Sequence, residues 1–438
     1  MRAILSVLLL AGPLPQAAPL PNVILCMADD QGWGDTGYNG HPSLKTPHLD
    51  AMSREGLRFD RWYAAAPVCS PTRGSCLTGR HPYRYGVFSA NVGHLKKEEL
   101  SLAEILKSRG YATGHFGKWH LGTLSRDQKD GRRGGKAEAH YAPPWESGFD
   151  VSFSTEVQVP TWDPMRDQAV SPTRYWEGPG KAASENLEGD DSRVIMDRAI
   201  PFIREAAARK RPFFAVVWFH TPHEPVRGGG EFLAAWKDPY LACLSALDVQ
   251  MGRLRKELAD LGVAGNTMLW YASDNGPEHA AGPGSAGPLR GRKRSLYEGG
   301  IRTPGILVWP DRVKEGRSIP VPCVTSDYLP TVLDAAGIAP DARPLDGISL
   351  LPLIDGKAAA RGRPIGFESG EQLAWMEERL KLVRPGKGRP FELYDLADDP
   401  SESKDLAASR PEDVARMSRD LETWRASCAA SLKGADYR

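Results

Sequence analysis

Short apolar runs alternate with helically spaced apolar positions over about 300 residues of the chain. The run over residues 22–27 is apolar almost throughout and ends in Asp29-Asp30-Gln31-Gly32, and the runs over 213–219 and 268–272 have the same character. Continuous apolar runs of this length are typical of strands that are buried on both faces of a parallel sheet. The pattern therefore predicts several buried parallel strands.

Helical patterns separate these runs. The spacing of apolar positions predicts helices over 48–56, 100–110, 194–209 and 240–261. Gly56 and Gly110 stand where helices commonly stop. Alternating strands and helices predict an α/β fold with a large, mostly parallel sheet covered by helices on both faces, and ligand sites in such folds form beyond the carboxyl ends of the strands.

Two later stretches of the sequence depart from this alternation of strands and helices. Between residues 123 and 189 the periodicity fades, which predicts a long surface excursion, and its tryptophans favour a binding rim: Trp145, Trp162 and Trp176. After Gly356, hairpin-like strands over 380–383 and 391–396 precede a helix over 411–428. We therefore expect a large domain over 20–355 and a smaller C-terminal α+β subdomain over 356–438, with a short antiparallel sheet and a terminal helix.

Composition narrows the function. Of the 438 residues, 56 are basic and 55 acidic, and the formal charge of +1 gives no overall field that would hold nucleic acid or an anionic membrane. Residues 1–18 have the order of a secretory signal, which predicts a secreted or periplasmic protein; a short buried strand or helix is the alternative. No other apolar run approaches the ~20 residues that span a bilayer. The six cysteines are too sparse for a disulfide scaffold.

Oxygen donors follow two of the predicted strands. Asp29 and Asp30 end the first run, and Asp274 and Asn275 end another. Neighbouring strand ends would bring three carboxylates and one amide together, a concentration of negative charge that is costly without a cation. Hard oxygen ligands suit Ca²⁺ or Mg²⁺. The alternative is that each pair makes an ordinary turn before a glycine.

The segment from Cys69 to Arg80 reads as a turn that enters a helix. Pro71 suits the first helical turn, and the helix N-terminus would offer amide donors and positive potential to an anion beside Cys69. Arg73 would lie one turn further along the same face. A buried structural thiol near an ordinary helix cap is the alternative.

Three further segments supply cations and imidazoles. Lys118 and His120 alternate, so that they would share one side of an extended segment and could hold an oxyanion and move a proton. His220 and His223 stand in a loop punctuated by prolines after a predicted strand. Lys293 adds a cation before a Gly-rich segment. Each has a structural alternative: a solvated lysine, histidines that cap a strand end, or a basic surface turn.

Together these segments resemble the type I (formylglycine) sulfatases, which have an alkaline-phosphatase-like α/β/α sandwich. The most specific match is Cys-x-Pro-x-Arg at residues 69–73, followed by Leu-Thr-Gly-Arg at 77–80. The other matching segments, in family order, are 29–34, 117–122, 273–276, 298–304 and 392–400. The resemblance covers about residues 21–407 and is weakest over 123–189.

The resemblance implies the cofactor and the nucleophile. A formylglycine-generating maturation enzyme would oxidise Cys69 to 3-oxoalanine, whose hydrate attacks sulfur. One Ca²⁺ ion would contact modified Cys69 and the residues that match the family's metal ligands: Asp29, Asp30, Asp274 and Asn275. Arg73 and Lys118 would stabilise the hydrate and the sulfate oxygens.

The resemblance also implies how protons move. His120 would remove a proton from the remaining hydroxyl of the sulfated hydrate, which expels sulfate and restores the aldehyde. His223 and Lys293 match the family's sulfate contacts and its proton donor to the departing alcohol, with His220 as the alternative to His223. A further polar contact to sulfate falls within 152–162 and is left unassigned.

The expected activity is therefore hydrolysis of a sulfate ester. Two alternatives remain: a phosphoester or phosphonate hydrolase of the same superfamily, and a sulfated-glycan binder without turnover. The tryptophan-rich rim and the export signal favour a sulfated sugar or polysaccharide over a small lipid or steroid sulfate, and Trp162 is the candidate platform for a sugar ring.

Overall fold

The computed structural model of the protein describes residues 20–128, 137–167, 173–279 and 282–437. Its helices, in chain order, are α1 (Pro47–Glu55), α2 (Cys69–Thr78), α3 (Leu102–Ser108), α4 (Asp191–Ala208), α5 (Gly230–Trp236), α6 (Pro239–Asp260), α7 (Glu298–Ile301), α8 (Tyr328–Ala335), α9 (Leu351–Ile354) and α10 (Pro411–Leu432). The helices predicted over 48–56, 100–110, 194–209, 240–261 and 411–428 correspond to α1, α3, α4, α6 and α10.

Strands follow the predicted order and include several short ones that the sequence pattern did not indicate. They are β1 (Asn22–Ala28), β2 (Leu57–Phe59), β3 (Trp62–Tyr63), β4 (Ala112–Lys118), β5 (Val151–Thr155), β6 (Trp176–Gly178), β7 (Lys181–Ala182), β8 (Phe213–Trp218), β9 (Thr267–Ser273), β10 (Arg302–Thr303), β11 (Gly305–Val308), β12 (Arg317–Ile319), β13 (Cys323–Val324), β14 (Ile365–Ser369), β15 (Gln372–Met376), β16 (Leu380–Arg384) and β17 (Glu392–Asp395).

Ten strands form one large sheet in the order β12-β2-β11-β9-β1-β8-β4-β5-β6-β7. The central strands β9, β1, β8, β4 and β5 run parallel to one another, whereas β11 pairs antiparallel with β9 and β2. The predicted fold class, a large and mostly parallel sheet, is confirmed. Because parallel strands end at the same edge, the residues that follow β1, β4, β8 and β9 meet there.

The alternation of side chains along β1 shows how helices cover both faces of the sheet. Val23, Leu25 and Met27 point into one core with apolar residues of α2, α3 and α8. Ile24 and Cys26 point into the opposite core with residues of α1, α4 and α6. Since successive side chains of a strand point to opposite faces, a strand between two helical layers must be apolar at every position. This is why the run over 22–27 is continuous.

Two small sheets complete the fold. Strands β10, β3 and β13 form one, and β14, β15, β16 and β17 form a four-stranded antiparallel sheet near the C-terminus. Helix α10 packs Met417 and Leu421 against the apolar face of that sheet. A buried ion pair joins it to the rest of the protein, because Lys381 Nζ on β16 lies 2.9 Å from both Glu298 Oε1 and Glu402 Oε1. The domain boundary placed at residues 355 and 356 stays a prediction.

The predicted surface excursion over 123–189 is partly wrong. Strand β5 pairs in parallel with β4, and β6 and β7 extend the same sheet. Trp176, assigned to a rim, is 4% exposed and lies in the core. The sequence of β5, Val-Ser-Phe-Ser-Thr, is short and half polar, so its strand character comes from pairing with β4 rather than from a local apolar signal.

Three further predictions concern the signal peptide, membrane-spanning helices and the cysteines. The predicted signal peptide over 1–18 and the basic stretch over 130–136 lie outside the described residues. Within the described residues, no helix has both the length and the apolar character needed to cross a membrane. All six cysteines lie within the described residues and are buried free thiols.

Candidate active site

Four polar side chains lie together where β1 and β9 end. Asp29, Asp30, Asp274 and Asn275 are each at most 1% exposed. Asn275 Nδ2 donates a hydrogen bond of 2.7 Å to Asp30 Oδ1, and the Asp30 amide donates one of 3.1 Å to Asp274 Oδ1. The two strands are parallel neighbours in the sheet, so both pairs of residues emerge at the same edge. The result is a buried group of oxygen atoms.

Helix α2 brings Cys69 to this group. Val68 is the extended N-cap residue, and Cys69 is the first residue of the helix. The thiol Sγ lies 3.4 Å from Asp29 Oδ1 and 4.0 Å from Asp30 Oδ1. The thiol therefore stands at the positive end of a helix and beside two carboxylates.

Arg73 lies one helical turn after Cys69 and points to the same place. Its Nη2 atom is 2.7 Å from Asp274 Oδ2 and 3.4 Å from Asp29 Oδ2. Its Nη1 atom donates a hydrogen bond of 2.9 Å to the carbonyl oxygen of Lys118. The guanidinium is fully buried, so these partners fix its position.

Two lysines complete the charge balance. Lys118, the last residue of β4, places Nζ 2.6 Å from Asp29 Oδ2. Lys293 places Nζ 2.6 Å from Asp30 Oδ2 and 3.3 Å from His223 Nε2. Three buried carboxylates are thus matched by three buried cations, since Arg73 is the third. His223 and Lys293 are the most exposed members of the group, at 9% and 6%, and mark its open side.

His223 and His220 take different positions, although they stand in one loop. His223 Nε2 lies 3.5 Å from Asp30 Oδ2, and Asp29, Asp30, Cys69 and His223 each offer an atom within 4.8 Å of the others, as ligands of one metal ion would. His220 is held elsewhere: its Nδ1 atom lies 2.8 Å from Asp191 Oδ2 and its Nε2 atom 2.8 Å from Thr155 Oγ1. Of the two histidines, only His223 belongs to this group of four.

His120 departs from the expected geometry. Strand β4 ends at Lys118, and the backbone of His120 is left-handed, with φ of 57°. The condition for a shared side, an extended backbone from Lys118 through His120, is therefore not met at His120. His120 is 1% exposed, and its Nε2 atom lies 2.8 Å from Asn91 Oδ1. Asn91 comes from a distant loop, and no sequence signal pointed to it.

Burial and the charged side chains of the site shift the pKa values of Cys69 and of two of the carboxyl groups. Burial, together with the Asp274 and Asp29 carboxylates, raises the pKa of Cys69 well above its usual value. Burial and the neighbouring Asp29 also raise the pKa of Asp274 to about 7. Burial by itself would raise the pKa of Asp29 too, but Lys118 and the other nearby cations hold it well below its usual range. An unmodified Cys69 is therefore a protonated thiol and a weak nucleophile.

Glu278 is a residue near the site that the sequence analysis did not select. Its Oε2 atom lies 3.7 Å from Lys293 Nζ and 2.7 Å from Arg294 Nη2. Burial would raise the pKa of this carboxyl, but the hydrogen bond from Arg294 is among the contacts that lower it to about 2. Its position four residues after Asp274 was the available signal, because residues that follow a strand end tend to line the same site.

Trp162 lies beside the glycines that precede and begin α5. A Cβ atom at Gly229 would come within 2.1 Å of the indole, so the ring lies directly on this backbone. The same side chain lines a cavity of about 710 Å³ together with Arg227. Its assignment to substrate binding stays a prediction.

Asp35 fixes the loop that follows Asp29 and Asp30. Its carboxylate accepts hydrogen bonds of 2.8 Å from the amides of Gly32 and Ser285 and one of 2.7 Å from the Tyr240 hydroxyl. Burial raises the pKa of Asp35 to about 7. The folded protein therefore binds a proton at pH values at which the unfolded chain has released it.

This shift predicts a pH dependence of stability. Because the pKa is higher in the folded state, the contribution of Asp35 is complete below about pH 4 and is lost as the pH rises towards 7. We expect the free energy of unfolding, measured in urea between pH 5 and pH 8, to fall with rising pH by at least about 1 kcal/mol more in the wild type than in Asp35→Asn. Equal slopes would contradict the assignment.

Comparisons with known proteins agree with this architecture. The sulfatase family profile matches residues 21–338, and a profile described as N-sulphoglucosamine sulphohydrolase, C-terminal, matches residues 291–426. N-acetylgalactosamine-6-sulfatase of Canis lupus familiaris is 34% identical over 395 residues, which cover 84% of this chain and 73% of that protein. Arylsulfatase A of Homo sapiens is 34% identical over 386 residues, with coverages of 82% and 72%.

Solved structures give the same result. The crystal structure of Ps i-CgsB in complex with k-i-k-neocarrahexaose has a TM-score of 0.81 at 26% identity and covers 92% of both chains. The fold is that of the alkaline-phosphatase-like superfamily. Within that superfamily, the chain belongs to the sulfatase family, and it is an enzyme that hydrolyses sulfate esters.

Proposed function

We propose that this sulfatase removes sulfate from a carbohydrate through a formylglycine made from Cys69, with one Ca²⁺ ion beside it. The observation that carries the proposal is the position of Cys69, which begins a helix and faces three buried carboxylates and three buried cations. The relatives described above contribute the class of substrate. One is an N-acetylgalactosamine-6-sulfatase, and one structural neighbour was solved in complex with k-i-k-neocarrahexaose.

The donor set suits calcium. Asp29, Asp30 and Asp274 offer carboxylate oxygens, which Ca²⁺ prefers over nitrogen and sulfur ligands. Asn275 Oδ1 is buried, and among the described residues it has no hydrogen-bond partner, as expected of an oxygen that serves a cation. When bound, the ion would supply positive charge for the sulfate oxygens and lower the cost of bringing an anionic nucleophile to an anionic ester. Added to three carboxylates and three cations, a bound Ca²⁺ ion would give the site a surplus of positive charge.

The state of Cys69 supports a modified nucleophile. A thiol with a raised pKa stays protonated, so that sulfur is poorly suited to attack. Oxidation to an aldehyde replaces the thiol by a group whose hydrate offers two hydroxyls. Arg73 and Lys118 lie on the same side as residue 69 and would donate hydrogen bonds to the hydrate and to the sulfate oxygens.

Proton transfer is assigned to three residues. His223 and Lys293 lie at the open side, where the departing alcohol oxygen would leave, and burial lowers the pKa of His223 to about 4, so the imidazole is neutral at pH 7. Lys293, 3.3 Å away, is the cation that would protonate the leaving oxygen, with His223 Nε2 accepting its hydrogen bond and both residues contacting sulfate. His120 is the proposed base that removes a proton from the hydrate, with Asn91 orienting its ring.

The remaining parts of the proposal concern export of the protein, modification of Cys69 and the division into domains. The order of residues 1–18 favours export to the periplasm or the exterior, and a formylglycine-generating enzyme would act on the segment 69–80 before folding closes it. Cys69 is 1% exposed in the folded chain, so modification is expected to precede folding. We also propose that the chain divides into a catalytic domain over 20–355 and a C-terminal subdomain over 356–438.

The test combines two measurements on one preparation. We expect mass spectrometry of the peptide that contains Cys69 to show conversion to formylglycine, and the same protein to release sulfate from 4-nitrophenyl sulfate and from sulfated sugars. If Cys69 is converted and the protein releases phosphate or phosphonate but not sulfate, the enzyme is a phosphoester or phosphonate hydrolase instead. Conversion with carbohydrate binding but no release of either product would favour the binder without turnover.

A further inference from the structure

A groove begins next to the candidate active site. One cavity, of about 470 Å³, is lined by Glu224, Val226, Pro239 and Tyr240 among others. A second, of about 710 Å³, is lined by Trp162, Arg166, Arg227 and again by Val226 and Pro239. Because two residues line both cavities, the cavities are adjacent, and we call them together the Trp162 groove. It starts at the residue that follows His223 in the chain.

The walls of the groove are tied to the histidine loop. Thr161 is 1% exposed, and its hydroxyl donates a hydrogen bond of 2.7 Å to the Arg227 carbonyl and accepts one of 2.8 Å from the Arg227 amide. The Thr161 amide donates a further bond of 3.3 Å to the Pro225 carbonyl. Trp162 is therefore fixed relative to the segment that carries His223. Val226 lies three positions after His223 in the chain, so their Cα atoms are at most about 11 Å apart.

Trp162 is held as a flat surface before any ligand arrives. Its indole lies on the backbone of Gly229 and Gly230, where a Cβ atom would meet the ring at 2.1 Å and 3.1 Å. The backbone of Trp162 also forms a β-bridge with Asp190, the N-cap of α4. A ring that is already ordered costs little conformational entropy when it binds a partner.

Arginines beside the ring are available for hydrogen bonds. The Arg227 side chain is 37% exposed, and its Nη2 atom is 3.6 Å from Asp167 Oδ2. The Arg166 side chain is 79% exposed, and its Nη1 atom is 3.3 Å from Asp163 Oδ2. Exposed ion pairs of this kind contribute little to stability, so either guanidinium can turn to a ligand at little cost. A flat aromatic ring with planar donors and carboxylates around it matches the apolar face and the hydroxyl edge of a sugar.

We propose that the Trp162 groove binds a second sugar ring, next to the ring that carries the cleaved sulfate, so that the substrate is an oligosaccharide rather than a single sugar. This inference rests on the proposed function, because it takes the His223 side of the site as the place where the sugar leaves. Trp162 stacks on the second ring, and Arg227 donates hydrogen bonds to it.

The test separates the groove from the chemistry. Binding of a chondroitin 6-sulfate tetrasaccharide and of a carrageenan tetrasaccharide is measured by calorimetry in a Cys69→Ala background, where neither ligand is consumed. We expect Trp162→Ala to weaken binding of at least one tetrasaccharide at least about tenfold, and Trp162→Phe to restore most of it. In protein that retains Cys69, Trp162→Ala should lower kcat/KM for a tetrasaccharide more than kcat/KM for 4-nitrophenyl sulfate, because this ester is too short to reach the groove.

A matched control is Trp145→Ala, which removes another half-buried tryptophan that lines neither cavity. Tetrasaccharide affinity should not change in this variant. The inference is overturned if Trp162→Ala leaves tetrasaccharide binding unchanged, if it lowers turnover of 4-nitrophenyl sulfate as much as it lowers tetrasaccharide affinity, or if the protein binds neither tetrasaccharide. Since the calorimetry needs no turnover, failure of the proposed sulfatase chemistry would be seen separately, as an inactive wild type towards 4-nitrophenyl sulfate.

Discussion

Replacement of Cys69 by alanine is expected to lower the rate of sulfate release by at least about 10⁴-fold, the scale on which enzymes lose activity when their nucleophile is removed. Alanine offers no group that can become an aldehyde, so no oxygen nucleophile forms at the start of α2. Arg73 and Lys118 keep their carboxylate partners, and substrate binding should survive. The measurement is sulfate release from 4-nitrophenyl sulfate by the variant and the wild type, purified from the same host.

The matched control is Cys243→Ala. Cys243 is a buried thiol on α6, and burial raises its pKa, as it does for Cys69, but its Sγ atom donates to the backbone carbonyl of Tyr240. The control should keep its activity within a few fold, because it removes a buried sulfur away from the acidic group. Retained turnover in Cys69→Ala, with the melting temperature close to that of the wild type, would refute the role of Cys69.

Conversion of Asp274 to asparagine is expected to have the second largest effect, on calcium as well as on turnover. The change keeps the shape of the side chain but removes one of the three buried carboxyl groups. It also weakens the partner of Arg73, whose Nη2 atom lies 2.7 Å from Asp274 Oδ2. We expect the calcium affinity to fall by at least about 100-fold, the upper end of what even an outer-shell change costs a metal site.

Calorimetric titration of Ca²⁺ into chelator-treated protein measures this affinity directly. In the wild type, added Ca²⁺ should also raise the melting temperature, because an ion that binds only the folded state stabilises it. In Asp274→Asn the rise should largely disappear, and sulfate release should fall with it. Wild-type calcium affinity in this variant would remove Asp274 from the ligand set.

Asp248→Asn is the control for the loss of a buried carboxylate. Asp248 Oδ2 and Oδ1 accept hydrogen bonds of 3.1 Å and 2.8 Å from the amides of His48 and Leu49 at the start of α1. Its replacement should lower stability by about 1 kcal/mol, as the loss of a helix cap does, and leave calcium affinity unchanged. The comparison separates general destabilisation from loss of a ligand.

Much of the sheet could be predicted because its signals are local. The apolar runs of β1, β8 and β9 are continuous, since both faces of these strands are covered, and such runs are visible in the sequence without any knowledge of their partners. Strand β5 was missed because Ser152 and Ser154 interrupt its apolar residues. Its identity as a strand depends on hydrogen bonds to β4, which no short window of sequence contains.

The sequence predicted which residues come together at the candidate site better than it predicted how they are arranged there. The order of motifs placed Asp29, Cys69, Lys118 and Lys293 in one hypothesis, and the structure brings these four side chains into a single network of contacts. The backbone conformation of His120 and the contact between Glu278 and Lys293 were not predictable. Both depend on loops whose path is set by packing rather than by propensity.

By itself, the amino-acid sequence determined the alternation of buried strands and helices, the acidic residues at strand ends and the helix that starts at Cys69. These are consequences of local periodicity and capping, which act over one or two turns. Only the tertiary structure decided that Asp30 and Asn275, 245 residues apart, share a hydrogen bond, that His223 rather than His220 faces the carboxylates, and that Trp176 belongs to the core. Those outcomes depend on which strands become neighbours, and strand order is fixed by the packing of the whole sheet between its two helical layers.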